Sequence, residues 1–148
     1  MFQTIIPQLK EILEGIEITE GKDMNVIAHP LDKNEEPEGG YPLIIFFPDD
    51  LSNEFASNKR NFKIMKFRGS LTIPANNISN EDVFLHLMPK NADKLIKKLD
   101  EEWDGVVVED LGRVWIKTSY AYWDVEQTEK GKLAFMNFDI IVKFQHKI

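Results

Sequence analysis

The sequence predicts an α+β fold: a mixed, mainly antiparallel sheet with a long C-terminal hairpin, packed by an N-terminal helix and a central amphipathic helix. Three observations carry this. Apolar residues recur at helical spacing over 5–16 and again over 92–103. Two long runs toward the C-terminus alternate apolar and polar residues with the period of a strand. The predicted strands also fall in groups instead of alternating regularly with helices, which disfavours a parallel α/β sheet.

The elements follow in order. Ile5, Ile6, Leu9, Ile12, Leu13 and Ile16 form one stripe and predict a helix over 2–15. Pro7 is early enough to sit in a first turn, where its missing N–H costs little, and Gly15 marks the end. Residues 24–28 read as a short strand. Residues 29–40 hold Pro30, Pro37 and Gly39-Gly40 among charges and read as a mobile loop. Residues 41–48 are a continuous apolar run with a proline near each end. That pattern predicts a strand covered on both faces and bounded by Pro42 and Pro48. Residues 49–61 are polar, with Phe55 as the one large apolar side chain, and read as a loop. Met65, Phe67, Leu71 and Ile73 share one strand face, whereas Phe62 and Ile64 have the other parity. Either Gly69 or a bulge switches the face, or both faces are covered.

Residues 74–80 read as a turn. Ser79 or Asn80 caps a short helix running through Leu87, and Pro89 ends it. Asn91 then caps a second helix whose stripe is Ala92, Leu95, Ile96, Leu99 and Trp103, and Asp104-Gly105 stops it. Residues 106–108 begin a short strand. Val114, Ile116, Thr118, Tyr120 and Tyr122 alternate cleanly, as do Ala134, Met136, Phe138, Ile140, Val142 and Phe144. A turn over 126–132 joins the two runs into a hairpin. No repeat or linker divides the chain, so 1–148 reads as a single domain.

Composition narrows the function classes. At 148 residues a real core is within reach, and 43% hydrophobic with 11% aromatic residues argues against disorder. The absence of cysteine excludes disulfides, thiolate catalysis and iron–sulfur clusters. Asp and Glu number 25 against 18 Lys and Arg, for a net charge of −7. No specific nucleic-acid binding is expected of so acidic a chain. The start lacks a signal peptide's basic region, and the longest apolar run, 43–47, is too short to span a membrane. Synthesis in the cytoplasm, with no membrane partner, is the expectation.

The search for chemistry returns little. No nucleophile elbow, Walker loop, dinucleotide fingerprint or H-E-x-x-H is present. His29, His86 and His146 have no local spacing that makes a metal pair, and each reads as a surface or satisfied residue. The doublets Glu35-Glu36, Asp49-Asp50, Glu101-Glu102 and Glu109-Asp110 point their carboxylates apart, so none is an acid–base dyad by itself. Asp49-Asp50 follows a predicted buried strand, where a cation site is conceivable, although a solvated loop is the plainer reading. No catalytic residue, metal or cofactor is expected.

The tryptophans hint at assembly. Trp103 completes the helix stripe. Trp115 and Trp123 fall opposite Val114, Ile116 and Tyr120, and Leu133 and Phe135 fall on the matching face of the partner strand. The hairpin is therefore apolar on both sides, which calls for a covering helix or another subunit. A small-ligand pocket lined by Tyr120, Tyr122, Phe138 and Trp123 is the competing use of these aromatics.

The order and texture of the chain resemble the tail-terminator, or tail-completion, proteins of long-tailed bacteriophages and prophages. The likeness lies in the amphipathic helix at 2–15, the Tyr-Pro strand at 41–48, and the polar loop after it, 49–58, with Glu54-Phe55 and Asn58. A further strand, the helix at 92–103 and the C-terminal hairpin complete it. Residues 76–89 and the long acidic segment 29–40 depart from the pattern. The resemblance implies a non-enzymatic structural protein that forms a homo-oligomeric ring, commonly hexameric. Such a ring caps the tail tube and meets head–tail connector proteins, in the host cytoplasm during assembly and then in the virion tail. Asp49, Asp50, Glu54, Lys59 and Arg60, together with Trp115 and Trp123, are the candidate subunit contacts under this reading.

Overall fold

The computed structural model describes residues 2–18, 22–32, 35–57, 60–129 and 131–147; the side chains of 52–57, 60, 61, 120, 121, 146 and 147 are outside the description. In chain order the elements are α1 (Phe2–Glu14), β1 (Asn25–Ile27), β2 (Leu43–Ser57), β3 (Arg60–Pro74), α2 (Asn80–Asp82), a π-helical turn (Val83–Leu87), α3 (Met88–Glu102), β4 (Asp104–Val108), β5 (Gly112–Thr128) and β6 (Gly131–Lys147). One six-stranded sheet runs β1-β2-β3-β6-β5-β4. Among the described strands β1 and β2 pair in parallel and the other neighbours are antiparallel. The α+β architecture read from the sequence is the one observed.

One face of the sheet is the core. Ile44 and Phe46 of β2, Met65, Phe67, Leu71 and Ile73 of β3, and the even-numbered residues Ala134 to Phe144 of β6 are all buried there. Ile5, Leu9 and Leu13 of α1 and Leu95 and Leu99 of α3 pack onto them. Each such aliphatic side chain contributes roughly 1.5–3 kcal/mol by leaving water. The helix stripes predicted from spacing are therefore the faces that bury.

Four expectations are corrected. Residues 49–61 do not form a loop: β2 runs on to Ser57 and pairs with β3 back to Arg60. Pro48 does not end the strand, because a bulge between Pro48 and Asp50 absorbs the missing donor. Beyond Ile45, β2 has no described neighbour on its other side, so a proline there breaks no second ladder. The strand is also not covered on both faces, since Ile45 and Phe47 are only half-buried.

Second, Pro89 does not end a helix. The helical backbone passes from Asn80 to Glu102, with right-handed helical dihedrals at each junction. Ser79 caps the start, its Oγ accepting from the Asp82 N–H at 3.1 Å. Asn91 caps nothing; it is buried and its Nδ2 donates to the Leu87 carbonyl at 2.9 Å. The wide π turn ends one residue before the Met88-Pro89 pair, which places the proline in the first turn of α3.

Third, Gly69 switches no face: residues 65 to 73 keep one parity throughout. Fourth, a register shift between Tyr120 and Tyr122 flips the parity of β5. Trp123 and Val125 turn inward onto the core, and Tyr122 turns outward.

Candidate functional site

Among the described strand residues of the second face, Leu43 of β2, in register with Thr72, is the buried side chain, and the others are half-buried or exposed. Residues of this face stand in rows fixed by strand register. Ile64, Lys143 and Trp115 form one row, Lys66, Ile141 and Lys117 the next, then Arg68, Asp139 and Ser119. Further along come Ser70, Asn137 and Tyr122, and then Thr72, Phe135 and Asp124. Alternation along each strand puts these side chains outward by the same rule that buries their neighbours.

Aromatic pairs mark the two ends. Phe62 meets Trp115 edge-on, with ring centroids 6.0 Å apart, and the Lys143 Nζ lies 4.2 Å from the Phe62 centroid. Trp115 also closes over Gly105, where a Cβ would stand 3.1 Å from the indole Nε1 and φ is +74°. Arg113 Nη1 donates to the Gly105 carbonyl at 2.9 Å and holds that corner. At the other end Tyr122 and Phe135 pack edge-on at 6.4 Å.

An ion network lies between them. Asp49 reaches Lys66 at 3.7 Å and Arg68 at 3.4 Å, and Lys66 also reaches Asp139 at 3.6 Å. Asp49 shares the outward parity of Phe47 and is the extra residue of the bulge, flanked by the pairs of Pro48 with Phe67 and Asp50 with Lys66. The Arg68 side chain is 63% exposed, so each contact is weak alone and the network positions side chains more than it stabilises the fold. Phe47, Ser70 and Asn137 complete the wall of a shallow hollow of about 460 Å³ above it.

The predicted site residues scatter over this arrangement. Asp49 and Trp115 lie on the outer face. Asp50 is exposed and accepts from the Leu51 N–H at 2.8 Å. Trp123 lies on the core face, so it does not join Trp115, a correction that the β5 bulge explains. Lys59 and the side chains of Glu54 and Arg60 lie outside the described residues, as does that of His146. His29 is exposed, with Nδ1 2.9 Å from its neighbour's carbonyl, and His86 is exposed. Asp49-Asp50 gathers no third carboxylate or imidazole, and no group of three or more such ligands occurs among the described residues.

The four aromatics read as a possible pocket lining do not share one face among the described side chains. Tyr122 points outward, Phe138 and Trp123 belong to the core face, and the Tyr120 side chain is outside the description. Reading the sequence missed Lys66, Arg68, Lys117, Asp139 and Lys143 as one surface. The parity that they share with Phe62 and Ile64 was the available signal.

Among the described residues no helix is long and apolar enough to cross a membrane. The sequence matches no family model and no curated protein.

Proposed function

We propose that this chain is a non-enzymatic structural subunit of the tail-terminator kind, which forms a ring on the tail tube of a phage or prophage, ends the tube and joins it to the head. Its partners are copies of itself, the tail tube protein and the head–tail connector proteins, met in the host cytoplasm and retained in the virion tail.

One observation supports the reading above the rest. Among the described residues the six-stranded sheet has helices packed on one face, and the other face holds aromatic pairs and ions in ordered rows. Half-exposed aromatic surface rimmed by charge is suited to packing against a neighbouring protein. The long C-terminal hairpin, β5–β6, is among the features on which the resemblance rests.

The test uses the purified chain with the polymerising tail tube protein encoded in the same genome. Tubes of limited length, with the chain seen at one end by electron microscopy, are the expected result. Tubes that grow without limit, with no chain bound at either end, would overturn the proposal.

A further inference from the structure

The step from α3 into β4 holds two residues with a chemistry of their own. Asp104-Gly105 is the one Asp-Gly step of the sequence, and no asparagine precedes a glycine. Asp104 pairs with Trp115 and Val106 with Val114, so Gly105 is the extra residue of a bulge and has no register partner on β5. Its φ is +74°, a conformation that glycine adopts without strain. Asp104 is exposed, and among the described residues no ion pair or hydrogen bond holds its carboxylate.

Two other aspartates show the contrast. Asp50 and Asp124 each accept the N–H of the next residue, Leu51 and Val125, at 2.8 Å. There the proton is directed at a carboxylate oxygen, and a branched side chain crowds the nitrogen. At Asp104 the carboxylate is untethered, and the next residue has no Cβ to stand in the way.

We infer that Asp104-Gly105 is a site of spontaneous backbone isomerisation, where aspartate becomes isoaspartate through a cyclic imide, and that the isomer unlatches β4 from β5. The Gly105 main-chain nitrogen bonds to Asp104 Cγ and gives up its proton, and one carboxyl oxygen leaves as water. Water then opens the imide at either carbonyl. Opening at Cγ restores aspartate. Opening at the main-chain carbonyl leaves the chain running through Cβ and Cγ, with the former main-chain carbonyl as a free carboxylate. One water is lost and one regained, nothing is oxidised, and the mass of the chain is unchanged. The main chain has gained one atom between two fixed points. The Trp103 carbonyl accepts from the Ile116 N–H at 2.9 Å, and the Gly105 carbonyl accepts from Arg113 Nη1 at 2.9 Å. A longer link between them displaces Val106 and Val107 from Val114 and Arg113, their partners on β5.

The experiment incubates the folded full chain for weeks at neutral pH, below its unfolding temperature, beside the variants Asp104→Glu and Asp104→Asn. Position 104 is exposed, and thermal melts establish that each variant folds. Isoaspartate is counted by enzymatic methylation with S-adenosylmethionine and located by fragmenting the peptide that holds residue 104. The wild-type count is expected to rise with time, to several-fold above that of Asp104→Glu, whose longer side chain must close a larger ring. The product maps to residue 104 and not to Asp50 or Asp124. Asp104→Asn is expected to convert faster than wild type, because an amide loses ammonia more readily than a carboxylate loses water. Denaturant unfolding of the aged wild type is expected to show a second population of lower midpoint, growing with the isoaspartate count.

A folded chain that forms no isoaspartate at residue 104 overturns the inference. So does an equal count in wild type and Asp104→Glu. Isoaspartate at residue 104 in a chain that still unfolds at its original midpoint overturns the unlatching of β4.

Discussion

The ring of Phe138 occupies the space that a side chain at Gly69 would need. The two residues are register partners on β6 and β3, and a Cβ at Gly69 would stand 2.5 Å from the Phe138 Cε2. Phe138 is 2% exposed, so the ring has little room to retreat. The glycine is therefore part of the core, as the socket for an aromatic on the next strand. Gly69→Ala is expected to destabilise the fold by about 1–3 kcal/mol, the usual range for overpacking. Adding Phe138→Leu to that variant should recover part of the loss. Denaturant unfolding of the two single variants and the double variant checks this, and a double variant with purely additive losses would refute the coupling.

Asn91 is the buried polar residue among the described ones, and its amide donates to the Leu87 carbonyl at the end of the π turn. Asn91→Ala should cost about 1–3 kcal/mol by leaving that carbonyl without its side-chain donor. Asn91→Asp should cost more, because a carboxylate has no proton to donate and its charge would be buried. Thermal unfolding at neutral pH ranks the two, and equal losses would argue against the donor role.

Thr118 faces Ile140 on the core side of the hairpin, with its hydroxyl buried and unpartnered. Thr118→Val exchanges that hydroxyl for a methyl of similar size. The expected result is a gain of about 1 kcal/mol in unfolding free energy, within the desolvation cost of an unpaired polar group. A loss of 1 kcal/mol or more would mean that the hydroxyl has a partner in solution.

Trp115 and Trp123 should respond differently to truncation. Trp123 packs against the core, so Trp123→Ala is expected to lower stability by about 3 kcal/mol. Trp115 rests on Phe62 and over Gly105 on the outer face, outside the core cluster. Trp115→Ala should cost less than half as much in unfolding free energy. Chemical denaturation of both variants decides it, and a reversed order would contradict the β5 register.

The ion network should matter little to stability. Asp49, Lys66, Arg68 and Asp139 are all partly exposed. Lys66→Met is expected to shift unfolding by less than about 1 kcal/mol, in line with surface ion pairs. A larger loss, abolished by high salt, would show a network stronger than its exposure allows.

The fold class was legible in the sequence because its signals are local. Helical spacing marked α1 and α3, and period-two alternation marked β3, β5 and β6, since burying one face demands those patterns. The Ser79 cap was legible for the same reason. What failed was punctuation. Pro48 and Pro89 read as stops, but a bulge where β2 has no described neighbour on its other side and a π turn just ahead of Met88 each accommodate a proline. Polarity over 49–61 read as a loop, although a strand with few described neighbours can be polar on both sides.

By itself, then, the sequence determined the apolar stripes and hence which helix and strand faces are buried. Only the tertiary structure decided the pairing of β3 with β6 and the bulge at residue 121. That pairing sets Lys66 beside Asp139 and Phe62 beside Trp115. The bulge separates Trp123 from Trp115. Cross-strand neighbours are set by register between segments up to 87 residues apart in the chain, as with Arg60 and Lys147, and a one-residue shift exchanges the two faces of a strand.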